Sequence, residues 1–273
     1  CLRSPRGKAT TRHMMKIALS IAGSDPSGGA GIQADLKVFH AHGVYGQAAI
    51  TLLTAQNTQG VSRVWPVPDT QIGEQIDALW DDIPPQAIKT GAFASPESIL
   101  RVAHSLKRRG LPLVVDPILK PTQGTAFGDQ DLLRAMREAL VPLATLVTPN
   151  REEAQLLTGL AVNDAEGAAA AGHALCRLGA GAALVKGGHL VGDPIDVLCL
   201  ADGVQHVFRD PRIETRHTHG TGCALSASIA ARLALGLPLV ESVSGARTWL
   251  RLALSAPLGI GRGRGPINHF ARG

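Results

Sequence analysis

No apolar run in this 273-residue chain reaches the roughly 18–20 residues that a membrane-spanning helix needs. Its four cysteines, Cys1, Cys176, Cys199 and Cys223, are scattered without C-x-x-C spacing. That excludes the usual zinc patterns, gives no sign of a disulfide framework, and fits free thiols in a reducing cytoplasm. Also missing are G-x-G-x-x-G and the P-loop pattern G-x-x-x-x-G-K-[ST]; the glycine-rich stretch Ser24–Gly31 (SDPSGGAG) contains neither. Dinucleotide or P-loop binding is therefore unsupported, and glycine there reads first as a tight turn. No internal repeat, linker or low-complexity block divides the chain, so one large α/β-sized domain is expected.

Acidic residues are absent from positions 1–16, which hold Arg3, Arg6, Lys8, Arg12 and Lys16. The chain carries 27 Lys+Arg against 22 Asp+Glu, a net charge of +5, so positions 17–273 balance at 22 of each sign. The basic excess belongs to the tail and points to neither a nucleic-acid nor a membrane partner. Residues 1–13 begin at a cysteine and lack the apolar centre of a signal peptide. They read as a disordered tail, a cloning remnant or a misassigned start, with Met14 or Met15 as the natural beginning.

What is present is a series of apolar strands separated by helices. Lys16–Ala22 reads as a strand ending at Gly23, followed by a polar turn over 24–29 and a helix from Ala30 to Ala41. Strands follow at Gly46–Leu53, Ala87–Lys89, Leu113–Val115, Thr145–Val147 and Ala182–Lys186. Helices are expected over Thr70–Asp81, from Ser95-Pro96 to Arg109, over Asp129–Leu140, after Asn150, and over Asp164–Leu178. Runs without period-2 alternation, alternating with helices, indicate a mostly parallel sheet covered on both faces: an α/β fold. Pro194–Leu200, Asp202-Gly203 and Val204–Phe208 read instead as an edge hairpin with a D-G turn, before two final helices at Gly222–Leu235 and Leu239–Leu254. Ligands of open α/β sheets sit beyond the carboxyl ends of the strands. That rule gathers the loop after Gly23, Gln56-Asn57-Thr58, Asp116, Asn150–Glu153 and Lys186–His189 at one edge.

The densest chemical signal is His219-Gly220-Thr221-Gly222-Cys223 before the small, apolar run Ala224–Ala231. Glycines at a helix start let bare N–H groups converge on an anion, and the helix terminus adds partial positive charge. A thiol on that first turn is expected to have a lowered pKa and to serve as a base or nucleophile; the plainer reading is a glycine loop with a buried cysteine. Asp116 ends a strand, and Asn150 and Glu153, three apart at a helix start, offer the oxygen donors that Mg²⁺ takes when it keeps waters and shares phosphate ligands. Asn150 and Glu153 equally fit an N-cap and the N3 position of a capping box. Lys186 closes an apolar strand, where a lysine is either held at the active edge or simply solvated.

Taken in order, AGSDPSGGAGIQADLK (22–37), TLLTAQNTQGV (51–61), KTGA (89–92), VVDP (114–117), TPNREEA (148–154), VKGGH (185–189), THGTGCALSASIA (218–230) and GRGPINHF (263–270) closely resemble the hydroxymethylpyrimidine/phosphomethylpyrimidine kinases of thiamine biosynthesis, within the ribokinase-like superfamily. The resemblance runs from about Lys16 to Phe270 and implies a single ribokinase-like domain over 14–273, with a three-layer αβα architecture. It implies phosphorylation of 4-amino-5-hydroxymethyl-2-methylpyrimidine and of its monophosphate, with ATP and Mg²⁺, by a cytoplasmic homodimer. Carried over position by position, Gly23, Asp35 and Gln56 match pyrimidine-contacting positions, and Ala92 and Ile118 line the same pocket. Asp35 otherwise reads as a surface helix residue. Asp116 and Glu153 match positions near the metal, Asn150, Thr221 and Lys186 the nucleotide, and Gly220, Gly222 and Cys223 the anion hole and catalytic cysteine.

Many sugar kinases of the superfamily carry aspartate at the Cys223 position, so the cysteine favours the pyrimidine branch. Ala92 stands where relatives often have methionine, which implies a roomier wall, and Ile118–Gly124 stands where the family usually has a small residue and Lys-Ser-Gly or Thr-Ser-Gly. A pyridoxal kinase-like activity and a non-catalytic pyrimidine-binding protein are the rival readings.

Overall fold

The structure, a computed structural model, describes residues 15–119, 130–188 and 193–271. The tail over 1–13, Met14, His189 and most of the 118–124 loop lie outside these residues. The first unit is β1 (Ile17–Ser24) followed by α1 (Gly31–Ala41), and then β2 (Tyr45–Asn57), β3 (Gly60–Pro66), α2 (Asp69–Asp82), β4 (Ala87–Thr90), α3 (Pro96–Leu106) and β5 (Leu113–Val115). The second half comprises α4 (Gln130–Ala135), β6 (Leu146–Val147), α5 (Arg151–Thr158), α6 (Ala165–Arg177), β7 (Ala182–Val185), β8 (Ile195–Leu200), β9 (Gln205–Arg209), α7 (Thr221–Ala234) and α8 (Leu239–Ser255).

One nine-stranded sheet runs in the order β3-β2-β1-β4-β5-β6-β7-β8-β9. Strands β2, β1, β4, β5, β6 and β7 pair in parallel, while β3 at one edge and β8-β9 at the other are antiparallel. Alternation along each strand sends side chains to two cores. Leu19, Ile21, Ile88, Val115 and Val147 meet α2, α3, α4 and α6 through Ile72, Ile76, Ile99, Val102, Leu132 and Leu175. Ala18, Ala87, Val114, Leu146 and Leu184 meet α1, α7 and α8 through Val38, Phe39, Ile229, Val243 and Trp249. The α/β, three-layer expectation is thus met, as is the edge hairpin of β8 and β9.

Three local expectations are revised. Gln56 and Asn57 do not lie in a loop: β2 continues to Asn57 because β3, which has no counterpart in the sequence reading, pairs with it beyond the point where β1 ends. β3 carries mostly half-exposed or exposed residues, so its hydrophobic signature is faint. The helix expected to run to Leu140 instead becomes a π turn over Met136–Leu140 and a 3₁₀ turn over Val141–Leu143. Pro142 accounts for the stop, since it brings no N–H and its ring crowds the preceding turn. α3 ends at Leu106 rather than Arg109, while its Ser95 cap forms as expected, accepting from Ser98 N–H at 3.2 Å.

Candidate active site

The start of α7 lies at the carboxyl edge of the sheet. Gly220 is its N-cap with φ +79°, a left-handed conformation that glycine adopts without penalty. A methyl group on Gly220 would collide with the Gly29 carbonyl, so the two glycine turns touch backbone to backbone. The helix ladder opens with Ala224 N–H donating to Gly220 O at 2.8 Å, which leaves the Gly222 and Cys223 amides at its open end. Thr221 turns its hydroxyl back to Thr218 O at 2.7 Å.

Cys223 is the third residue of α7 and buried, with the Gly31 amide at the start of α1 acting to lower its pKa. The expected lowering of its pKa does not occur. Burial pushes the thiol up to about 11, with Asp35 and Asp116 adding to the rise and Lys89 opposing it. Loss of hydration outweighs the helix terminus here.

On one side of this turn stands a charged cluster. Asp116, immediately after β5, accepts from Lys186 Nζ at 3.0 Å and Thr148 Oγ1 at 3.1 Å through Oδ1, and from Ser226 Oγ at 3.3 Å through Oδ2. Burial would raise its carboxyl, yet Lys186 and Lys89 hold it below the ordinary range. Lys186, just past β7, is therefore paired rather than solvated; burial pulls its ammonium down, but Asp116 and Glu153 more than reverse this. Both side chains face α7: a methyl on Gly222 would lie 3.3 Å from Lys186 Nζ and 3.8 Å from Asp116 Oδ2.

Asn150 and Glu153 form a complete capping box on α5. Asn150 Oδ1 accepts from Glu153 N–H at 2.9 Å, and Glu153 Oε2 accepts from Asn150 N–H at 2.7 Å. Glu153 Oε1 accepts no hydrogen bond among the described residues. Burial raises Glu153 to about 7, with Lys186 opposing and Asp116 reinforcing the shift. The capping reading of Asn150 and Glu153 is thus met in full.

On the other side lie the residues matched to the acceptor. Asp35 is not at the surface; it is fully buried, its Oδ2 accepting from Ser20 Oγ at 2.5 Å and from Lys89 Nζ at 2.8 Å. Its Oδ1 is buried without a partner among the described residues. Burial raises the Asp35 carboxyl against the pull of Lys89; it would lower Lys89, but Asp35, Cys223 and Asp116 hold that ammonium above its usual range. Gly23 sits at the β1 bulge, where a methyl would lie 2.5 Å from Leu52 Cδ1. A larger residue here would require the Leu52 side chain to shift.

Gln56 is half-buried, with Nε2 3.3 Å from His219 Nε2. The Ala92 carbonyl accepts from Thr51 Oγ1 at 2.6 Å, and Ile118 N–H donates to Asp116 O at 2.9 Å, which turns the chain sharply after the carboxylate.

The fold thus gathers Cys223, Gly220, Gly222, Lys186, Asp116, Glu153 and Asn150 around one helix terminus, with Gln56 joined to it through His219 and Asp35 buried beneath. The sequence reading passed over Lys89, Asp25 and His219. A lysine in the buried strand AIKT was a usable signal, because a lone charge in a core strand requires a partner. Asp25 and His219 lie within quoted motifs, but their pairing across 194 positions is visible only in three dimensions.

A family profile described as phosphomethylpyrimidine kinase matches residues 25–268. A Rhizobium meliloti protein named hydroxymethylpyrimidine/phosphomethylpyrimidine kinase is 50% identical over 263 residues, covering 95% of this chain and 98% of its own. Among solved structures, a Bacillus subtilis pyridoxal kinase in complex with ADP superposes with a TM-score of 0.86 at 34% identity, covering 94% of this chain and 98% of its own. A Clostridium difficile phosphomethylpyrimidine kinase gives 0.77 at 38% identity, covering 86% of this chain and 98% of its own. The matched span takes in every site residue from Asp25 through Cys223, and on these grounds the chain belongs to the phosphomethylpyrimidine kinase family.

Proposed function

We propose that this protein transfers a phosphoryl group from ATP to 4-amino-5-hydroxymethyl-2-methylpyrimidine, and then a second to the resulting monophosphate, giving the pyrophosphate used in thiamine assembly. The observation that carries the reading is the α7 turn, with its open amides flanked by Lys186 and Asp116 on one side and by Gln56 on the other. Phosphoryl transfer demands positioning and charge neutralisation more than covalent chemistry. Lys186 and the Gly222 and Cys223 amides take up the negative charge of the transferring group, while Thr221 and Asn150 border the nucleotide.

Asp116 and Glu153 provide hard oxygen donors, and among the described residues no cluster of three or more His, Cys, Asp or Glu could hold a metal ion. Two carboxylates suit Mg²⁺, which binds through one or two protein oxygens, waters and substrate phosphates. Held there, the ion would neutralise phosphate charge. With its pKa pushed up to about 11, Cys223 carries its own proton at physiological pH, so as a thiol it positions the acceptor hydroxyl, and it acts as a base only once that proton has been lost.

ATP-dependent phosphate incorporation into the pyrimidine alcohol tests the reading and excludes a purely binding protein. One site serves both steps if the alcohol and its monophosphate compete. Conversion of the alcohol to the monophosphate alone, under saturating ATP and Mg²⁺, would reduce the assignment to a single-step kinase. The fold is shared with a pyridoxal kinase at 34% identity, so pyridoxal is the second acceptor to try, and turnover on the two alcohols side by side measures the preference.

A further inference from the structure

Asp25 follows β1 directly, is 2% exposed, and organises the first glycine loop. Its Oδ1 accepts from Ser27 N–H at 2.9 Å and its Oδ2 from Ala30 N–H at 2.8 Å. The same Oδ2 lies 2.8 Å from His219 Nε2. His219 immediately precedes the Gly220 cap of α7, its N–H is held by Gly265 O at 3.0 Å, and its ring packs so closely on Gly29 that no methyl fits there. The carboxylate–imidazole contact therefore bridges the two glycine turns.

Hydrogen-bond polarity follows from this arrangement. A carboxylate only accepts, so the proton between Asp25 and His219 resides on Nε2. Hydrogen bonds from His219 and Ser27 overcome burial and keep Asp25 below the ordinary carboxylate range. Gln56 approaches the same protonated nitrogen at 3.3 Å, where an amide NH₂ has nothing to donate to but an amide oxygen is welcome. At its other end the carboxamide lies 3.4 Å from Thr54 Oγ1, whose single proton is already given to Ser24 O at 2.9 Å. That hydroxyl is thus left as an acceptor. Both contacts are satisfied when the Gln56 amide is turned so that oxygen faces His219 and nitrogen faces Thr54, an assignment that rests on the hydrogen-bond network.

The geometry points to Asp25 and His219 as a positioning dyad that fixes the polarity of the Gln56 carboxamide and so makes its second N–H a donor to the acceptor substrate. The inference deepens the proposed function, since it takes the Gln56 side of the site as the acceptor side. It assigns the site a preference for a ring bearing a hydrogen-bond acceptor, such as an aromatic nitrogen, opposite Gln56.

The test has a ligand-free arm and a kinetic arm. In the ligand-free protein, ¹⁵N-histidine NMR should show His219 protonated on Nε2, and Asp25→Asn should disturb that signal; an Nδ1–H tautomer overturns the dyad whatever reaction the enzyme catalyses. In the kinetic arm, with the aminopyrimidine alcohol as probe, Gln56→Glu keeps the shape but removes the donor. It should raise the acceptor KM by about 5- to 100-fold, the cost of stranding one polar partner. The KM for ATP should stay within about twofold, the difference that non-additivity analysis resolves. His219→Gln should do the same, and combining it with Gln56→Glu should add little, because the two residues act through one contact. Independent, additive losses, or an unchanged acceptor KM in Gln56→Glu, would overturn the inference. Absence of any wild-type turnover on the alcohol, with the NMR result intact, would instead remove the proposed function and leave the dyad standing.

Discussion

Lys89→Met removes one charge of an ion pair whose two side chains are both 0% exposed, without greatly changing side-chain length. Asp35 is left with only the Ser20 hydroxyl, since its Oδ1 has no partner among the described residues. Breaking a buried pair from one side costs about 3–5 kcal/mol, because the remaining charge is uncompensated. Set against a total stability of about 5–15 kcal/mol, the variant should lose a large share of its margin. Burial already raises Asp35 with Lys89 present, and without that opposing charge the carboxyl holds its proton to higher pH, with a folded-state pKa still further above the unfolded value of about 3.9. A carboxyl raised in this way contributes stability that is fully present below the unfolded pKa and is lost as pH rises through the folded one. The deficit of Lys89→Met relative to wild type should therefore widen as pH climbs above the folded-state pKa that Asp35 has with Lys89 in place. Urea midpoints at several pH values measure this, with Lys89→Met/Asp35→Asn as the control. The double variant has no charge to strand, so it should recover most of the loss and show no such slope. A single variant that loses less than about 1 kcal/mol, or a double variant no better than the single, would refute the ion-pair account.

Cys223→Ala should cut turnover by about 10²- to 10⁴-fold while calorimetric ATP affinity is unchanged, since the backbone amides of the α7 turn remain; a loss below about tenfold makes the thiol structural. With its pKa near 11, Cys223 should resist iodoacetamide at neutral pH in the ligand-free protein. Gln56→Leu should weaken acceptor binding by about 1–3 kcal/mol, whereas Lys186→Ala should act on the nucleotide, and the two Michaelis constants separate these effects. Glu153 is raised by burial to about 7 from an unfolded value near 4.5, so its contribution to stability is present at acid pH and fades as pH climbs through about 7. Glu153→Gln, which keeps the capping acceptor, should flatten that pH dependence in urea unfolding; an unaltered slope would assign it to another group.

The α/β class, the strand–helix order and the gathering of polar loops at one sheet edge were all legible in the sequence. Buried parallel strands such as AIKT and LVV, and capped helices such as Ser95-Pro96, carry local signals strong enough to read one at a time. The Gly220–Cys223 turn was equally visible, because glycine spacing before an alanine-rich helix is a local pattern. β3 was not, since an edge strand need not be apolar: its order comes from the ladder it shares with β2. Nor could the sequence supply the direction of the Cys223 pKa. A helix terminus is a local feature that favours the thiolate, but exclusion of water by α1 and the sheet is a tertiary fact, and here it is the larger effect. Lys89 with Asp35, and Asp25 with His219, are 54 and 194 positions apart. Each charge announces that it requires a partner, but only the folded chain decides which one, because the low-dielectric interior rewards the group brought within hydrogen-bonding distance and nothing in the linear spacing encodes that distance.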